Sequence, residues 1–188
     1  MDELVAKKIS EPPGVAAWPN TAAEAAVAGD GDGDALELVE LFFFAYRDFV
    51  GDADRLLENY GFGRAHHRVL HFVNRRPGLT IAALLDILRI TKQSLNRVLK
   101  QLLEAGFVEA RAGVVDRRQR LLYPTPQGAT LARDLAALQS ARFRKVMDEL
   151  PPAARGAASK FLFAMIDSGE RERVRAHLAC AKAAGAAT

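Results

Sequence analysis

The 188-residue chain has a single cysteine, Cys180. One thiol allows neither a disulfide framework nor a cysteine-based zinc site within a chain, and it suits a reducing compartment. Long apolar runs are missing as well. The densest, LFFFAY at 41–46, is far short of the roughly 18 residues a membrane helix needs. The first residues carry no apolar stretch of the secretory kind. No G-x-S-x-G elbow, P-loop, dinucleotide fingerprint or H-E-x-x-H pair occurs. These absences weigh against a membrane, secreted or familiar hydrolytic protein. A cytoplasmic protein that is not an enzyme, with no membrane partner and no cofactor, is expected.

What is present is charge, unevenly placed. The composition, 49% hydrophobic and 26% charged, is that of a globular chain. The net charge is only +3, yet residues 1–59 hold 13 acids and 4 bases while residues 60–188 hold 22 bases and 10 acids. Positive charge gathered in one part of a chain points to a polyanionic partner.

Residues 1–34 are rich in Ala, Gly, Pro and Asp and end in GDGDGD. They lack a periodic apolar face, which predicts a flexible tail in which only Trp18 stands out. Residues 35–60 read as a helix with two adjacent apolar stripes. Leu38, Leu41, Phe42, Ala45 and Phe49 form one; Val39, Phe43, Tyr46 and Val50 form the other. Such a helix must be covered on more than one side, and a second subunit is the simplest cover. Gly51 is a candidate break.

Helices are then expected at about 64–74, from Thr80, and from Thr91 to a stop at Gly106, with threonine N-caps. Ile81, Leu84, Leu85 and Leu88 would face inward from the middle one, and Leu95, Val98, Leu99 and Leu102 from the last. Three residues, 88–90, separate these two helices, the tight connection of a helix-turn-helix. The period then changes from 3.6 to 2, so that 107–113 and 119–125 can pair as strands with VVDRR at the bend. A long helix follows Pro126 and ends at Pro151-Pro152, and one further amphipathic helix should run from about 153 to 182.

The helix after Thr91 exposes Lys92, Gln93, Ser94, Asn96, Arg97 and Lys100 around a leucine face. Gln and Arg can make bidentate contacts with base edges, Ser and Lys suit phosphates, and a helix N-terminus attracts anions. Residues 89–120 hold eight bases against three acids. Arginines at a hairpin tip, Arg117 and Arg118, suit a narrow minor groove. Asp116 is expected to orient them by accepting hydrogen bonds from the Arg118 guanidinium. Arg111 belongs to the same basic surface.

Thr91–Gly106, then FVEAR, the D-x-R of Asp116 and Arg118, and LLYPTPQG, resemble the MarR family of winged helix-turn-helix regulators over about residues 36–180. The resemblance implies a mainly α fold with a small β-hairpin wing, and a helical dimerisation region beside the winged helix-turn-helix domain. The corresponding division is a tail (1–34), a dimerisation helix (35–60), a DNA-binding domain (61–126) and C-terminal dimerisation helices (127–183). It further implies a homodimer on a palindromic site in double-stranded DNA, and a small-molecule effector crevice between the lobes. The wing is short, and the reactive cysteine of the family's peroxide sensors is missing from the N-terminal helix. Cys180 reads as a helix-packing residue.

His66, His67 and His71 remain. His67 and His71 share a helix face at i, i+4, a spacing that can chelate Zn²⁺ or Cu²⁺ or serve haem iron, given further ligands. In the family, His67 falls where an apolar or aromatic residue faces the crevice, so Tyr46, His67 and His71 are candidate effector contacts. The alternative is a metal- or haem-sensing protein built on the three histidines.

Overall fold

Three threonines fix where the central helices begin. Thr80, Thr91 and Thr125 adopt extended backbone, and their hydroxyl oxygens accept the amide protons of Ala83, Ser94 and Gly128. Each contact satisfies a donor that a helix start otherwise leaves open. The computed structural model describes residues 31–113 and 116–186. In order these form α1 (Gly31–Glu58), α2 (Arg64–Arg75), β1 (Leu79–Thr80), α3 (Ile81–Leu88), α4 (Lys92–Glu104), β2 (Val108–Ala112), β3 (Arg120–Pro124), α5 (Pro126–Glu149), α6 (Pro152–Ala164), a 3-10 turn (Ser168–Glu170) and α7 (Arg171–Ala186). The chain divides into two units, Met1–Val39 and Glu40–Thr188. The described part of the first is the opening of α1.

Leucines from six elements build one core. Leu57, Leu70, Leu84, Leu95, Leu102, Leu122 and Leu135 have no exposed surface, and burying each contributes about 2–3 kcal/mol. They come from α1, α2, α3, α4, β3 and α5, so a single core holds the helix-turn-helix, the sheet and the base of α5 together. The sheet order is β1-β3-β2, with both pairings antiparallel. Val108 faces Pro124 and Ala112 faces Arg120 across the hairpin. At Gly106, φ is +75°, the left-handed conformation that stops α4 and that glycine adopts without strain.

The architecture is mainly α with a small β wing, as the sequence implies, but five details differ. The segment at 79–80 is more than a helix opening: Leu79 and Thr80 pair with Leu122 and Leu121 as a third strand. Gly51 does not break α1, because Val50, Ala53 and Leu57 anchor the helix on both sides of it. The C-terminal helix expected at 153–182 is two helices. Arg171 donates to the Ile166 carbonyl at 2.9 Å and to the Ala164 carbonyl at 2.6 Å, closing the end of α6 before α7 starts. Cys180 is exposed rather than packed. Residues 31–34, assigned to the tail, belong to α1; the rest of that tail, with Trp18, and Val114 and Val115 at the hairpin bend, lie outside the described residues.

Within the chain the apolar stripes of α1 are largely uncovered. Phe42, Phe43 and Tyr46 are exposed, as are Phe143 of α5 and Phe161 and Leu162 of α6, and only Val50 of the stripes is buried. Phe42 and Tyr46 stack, and Phe49 meets Phe143 at 5.3 Å between ring centroids. An apolar groove of about 450 Å³ runs between these three helices. Among the described residues no helix is long and apolar enough to cross a membrane.

Candidate nucleic-acid interface

The leucine spacing of α4 decides what the helix presents. With Leu95, Val98, Leu99 and Leu102 buried, the positions between them face outward: Lys92, Gln93, Ser94, Asn96, Arg97 and Lys100 are all exposed. Thr91 caps the helix through the Ser94 amide at 3.2 Å, and its hydroxyl also donates to the Ser94 hydroxyl oxygen at 2.9 Å. The Ser94 hydroxyl proton is thereby left for an outside acceptor. Among the described residues Lys92, Gln93, Asn96 and Arg97 have no side-chain partner. Lys100 pairs with Glu104 at 3.7 Å, one turn on, an exposed contact of the weak surface kind.

The wing is shaped by its backbone. Gly113 donates to the Gln119 carbonyl and Gln119 to the Asp116 carbonyl, both at 3.0 Å. A Cβ at Gly113 would lie 2.6 Å from the Asp116 carbonyl oxygen, so the turn closes only over a glycine. Asp116 acts differently from expectation. Its carboxylate accepts the backbone N–H of Arg118 at 2.9 Å, not the guanidinium. It builds the turn that presents Arg117 and Arg118, and an Asx-type turn of this sort is a local habit of aspartate. Both arginines are exposed and have no side-chain partner among the described residues.

Arg111 is occupied. Its guanidinium is ion-paired with Glu109 and lies over the Tyr123 ring, 4.3 Å from the centroid. Arg120, which sequence reasoning passed over, is exposed where β3 leaves the turn, opposite Ala112, and has no side-chain partner among the described residues. Its signal was present in the run DRRQR, but strand alternation drew attention to the apolar residues that follow. Arg89 was passed over too. It occupies the turn between α3 and α4 with φ +52°, and among the described residues it is the non-glycine residue with positive φ. Its guanidinium pairs with Glu170, whose carboxylate also meets Arg173 at 3.3 Å, and Arg173 reaches Asp86 of α3 at 2.8 Å.

Behind α4 the histidines separate. His66 is buried; its Nδ1 accepts the Gly63 amide at 3.1 Å, which leaves Nε2–H to donate to Gln101 Oε1 at 2.8 Å. That is a structural tie between α2 and α4, and it points away from His67 and His71. Among the described residues no group of three or more His, Cys, Asp or Glu is placed to hold a metal ion, so the three-histidine alternative has no support. His67 and His71 instead line a cavity of about 340 Å³ with Tyr46, Phe49, Arg68 and Phe72 among its walls. Burial holds both imidazoles below their usual range, and His71 is lowered further by His67, Arg75 and His177. Arg64, at the rim, is paired with Asp54 at 2.8 Å.

Comparison with known proteins agrees with this geometry. The profile of the MarR family matches residues 60–119. The HTH-type transcriptional regulator PetP of Rhodobacter capsulatus is 47% identical over 133 residues, covering 71% of this chain and 80% of PetP. Streptococcus pneumoniae FabT, solved in complex with DNA, superposes with a TM-score of 0.64 at 16% identity, covering 70% of this chain and 94% of FabT. MepR of S. aureus in its DNA-binding conformation gives 0.60 at 17%, covering 68% and 95%. The two structures share the fold, and PetP, matched along most of its length, shares the sequence as well: the chain belongs to the MarR family of transcription regulators.

Proposed function

We propose that the chain works as a homodimer on an inverted repeat in duplex DNA, with α4 in the major groove and the wing arginines at the minor groove. The observation that carries this reading is the row of outward side chains on α4, of which Lys92, Gln93, Asn96 and Arg97 have no side-chain partner among the described residues, set beside a hairpin whose tip arginines, Arg117 and Arg118, are equally free. FabT in complex with DNA is a relative of the same fold. Two copies of α4 related by a two-fold axis would meet successive major grooves about 34 Å apart, so half-sites should lie about one turn apart. The uncovered faces of α1, α5 and α6 support the dimer, since an apolar patch of this kind marks an association surface. The cavity holding Tyr46, His67 and His71 is proposed as the effector site.

Selection from random duplexes tests the reading. Wild-type protein should enrich an inverted repeat, and Arg97→Ala should relax one position of it, losing about 1–3 kcal/mol of discrimination. Enrichment of no motif, or of direct repeats alone, counts against it.

The wing supplies a second test. Asn keeps the side-chain oxygen that accepts the Arg118 amide and removes one negative charge near a polyanion. Asp116→Asn should therefore bind DNA more tightly, by about 0.5 kcal/mol, while Asp116→Ala, which loses the acceptor, should bind more weakly. Weaker binding by both variants would mean that the carboxylate charge itself serves the complex. Titration at two salt concentrations reads the difference.

A further inference from the structure

Glu170 reaches from the 3-10 turn between α6 and α7 to the turn between α3 and α4, where its carboxylate pairs with Arg89. Arg89 closes α3 with its amide, which donates to the Leu85 carbonyl, and it does so in a left-handed conformation that glycine would hold without strain. Here the position carries a long cation instead, and the cation is engaged by Glu170. The same carboxylate meets Arg173 at 3.3 Å, and Arg173 meets Asp86 of α3 at 2.8 Å. Glu170 first, and Asp86 after it, favour the charged form of Arg89. Four charges of alternating sign thus close a ring. Arg89, with Arg173 behind it, holds the Glu170 carboxyl below its ordinary range.

An isolated exposed pair of this kind counts for little, but a network of several charges counts for more. This one is also backed on both sides. His177 follows Arg173 by one turn on the same face of α7. Its Nδ1 accepts from Arg76 Nη1 at 3.1 Å, and its ring meets that of Phe72 at 5.3 Å between centroids. In this way α7 is held at the ends of both α2 and α3. On the other side, Arg171 ties the 3-10 turn to carbonyls at the end of α6, and α6 lines the apolar groove with Phe161 and Leu162. The helix-turn-helix is therefore joined to the groove helices twice, by the continuous α5 and by this ring. One joint leaves a lobe free to swing; two fix its direction.

We propose that Glu170 is a positioning residue for DNA reading. Through Arg89 it fixes the direction of the helix-turn-helix relative to the groove of α1, α5 and α6, and so the separation of the two α4 helices and the half-site spacing that a dimer accepts. This rests on the homodimer and inverted-repeat reading given above.

The test uses full-length protein and the inverted repeat obtained by selection, with its half-sites also set one base pair closer and one farther apart. Either shift moves a half-site by about 3.4 Å and turns it by roughly 35°. Wild type should lose about tenfold in affinity on either shift, because part of the avidity of two linked contacts is lost. Glu170→Ala should lose only about threefold or less, since its lobes can follow the sites. An isolated half-site should bind both proteins alike. Glu170→Gln, which keeps an oxygen for Arg89 without the charge, should fall between them. Arg173→Met, which cuts the Asp86 link and one of the two contacts of Glu170, should show the same change on a smaller scale. An equal spacing preference in wild type and Glu170→Ala overturns the proposal, as does a wild type that accepts all three spacings equally. So does a loss on the isolated half-site as large as that on the full repeat, which would make Glu170 a support of the helix-turn-helix alone. Should Glu170→Ala fail to fold, Arg173→Met decides by the same comparison. If wild type enriches no inverted repeat at all, it is the dimer reading that fails, and the proposal falls with it.

Discussion

Gly128→Ala should lower stability by about 3 kcal/mol, because it forces an atom into rigid backbone. For a chain of this size that is a fall in Tm of roughly 6–12 °C. A Cβ at Gly128 would sit 1.8 Å from the Phe107 carbonyl oxygen and 2.8 Å from its carbon. Neither atom belongs to a side chain that can swing away. The Phe107 carbonyl also accepts the Thr125 amide at 3.1 Å, and the Thr125 hydroxyl donates to the Gly106 carbonyl at 2.7 Å while capping Gly128. The TPQG segment thus fastens the first turn of α5 to the end of α4 and the start of β2, and alanine would prise that junction apart. Gly156→Ala is the control. Nothing lies within 4 Å of its Cβ on α6, so the exchange should be neutral or stabilising by about 0.5–1 kcal/mol. Equal melting of Gly128→Ala and wild type would refute the account of this junction.

The TPQG segment was visible in the sequence as a motif, but its reason was not, since the clash partner lies 21 residues earlier. The same division runs through the molecule. Threonine caps and leucine spacing are local, and they placed α3 and α4 and the outward row from Lys92 to Lys100 within a residue or so. Strand β1 escaped because two residues carry no period, and only pairing with Leu121 and Leu122 makes them a strand. The break after α6 escaped because the apolar spacing of Phe161, Leu162, Met165 and Ile166 continues up to it, and Arg171 closes the helix from beyond. For Asp116 the partner residue was right and the partner atom was not. A two-residue separation brings a carboxylate to a backbone amide as readily as to a guanidinium, and sequence does not distinguish them. Nor does sequence show which exposed arginines are free: Arg111 is held by Glu109 and Tyr123, whereas Arg118 is not.

The uncovered aromatic face gives the other large effect. Phe143→Asp should leave the protomer folded, because Phe143 is exposed within the chain and lies outside the leucine core. Its cost falls on association: a carboxylate would stand in the apolar groove between α1, α5 and α6, where a partner's side chains would strip it of water. Light scattering should give about twice 20.5 kDa for wild type and 20.5 kDa for the variant. Affinity for the inverted repeat should drop about 100-fold or more, because two linked half-site contacts become one. Binding to a single half-site should hardly change, since α4 and the wing are untouched. Arg97→Ala gives the opposite pattern, with wild-type mass and impaired reading, so the pair separates assembly from recognition. If Phe143→Asp keeps the doubled mass and the full affinity, the groove is not the subunit interface. The apolar stripes of α1 would then need another partner.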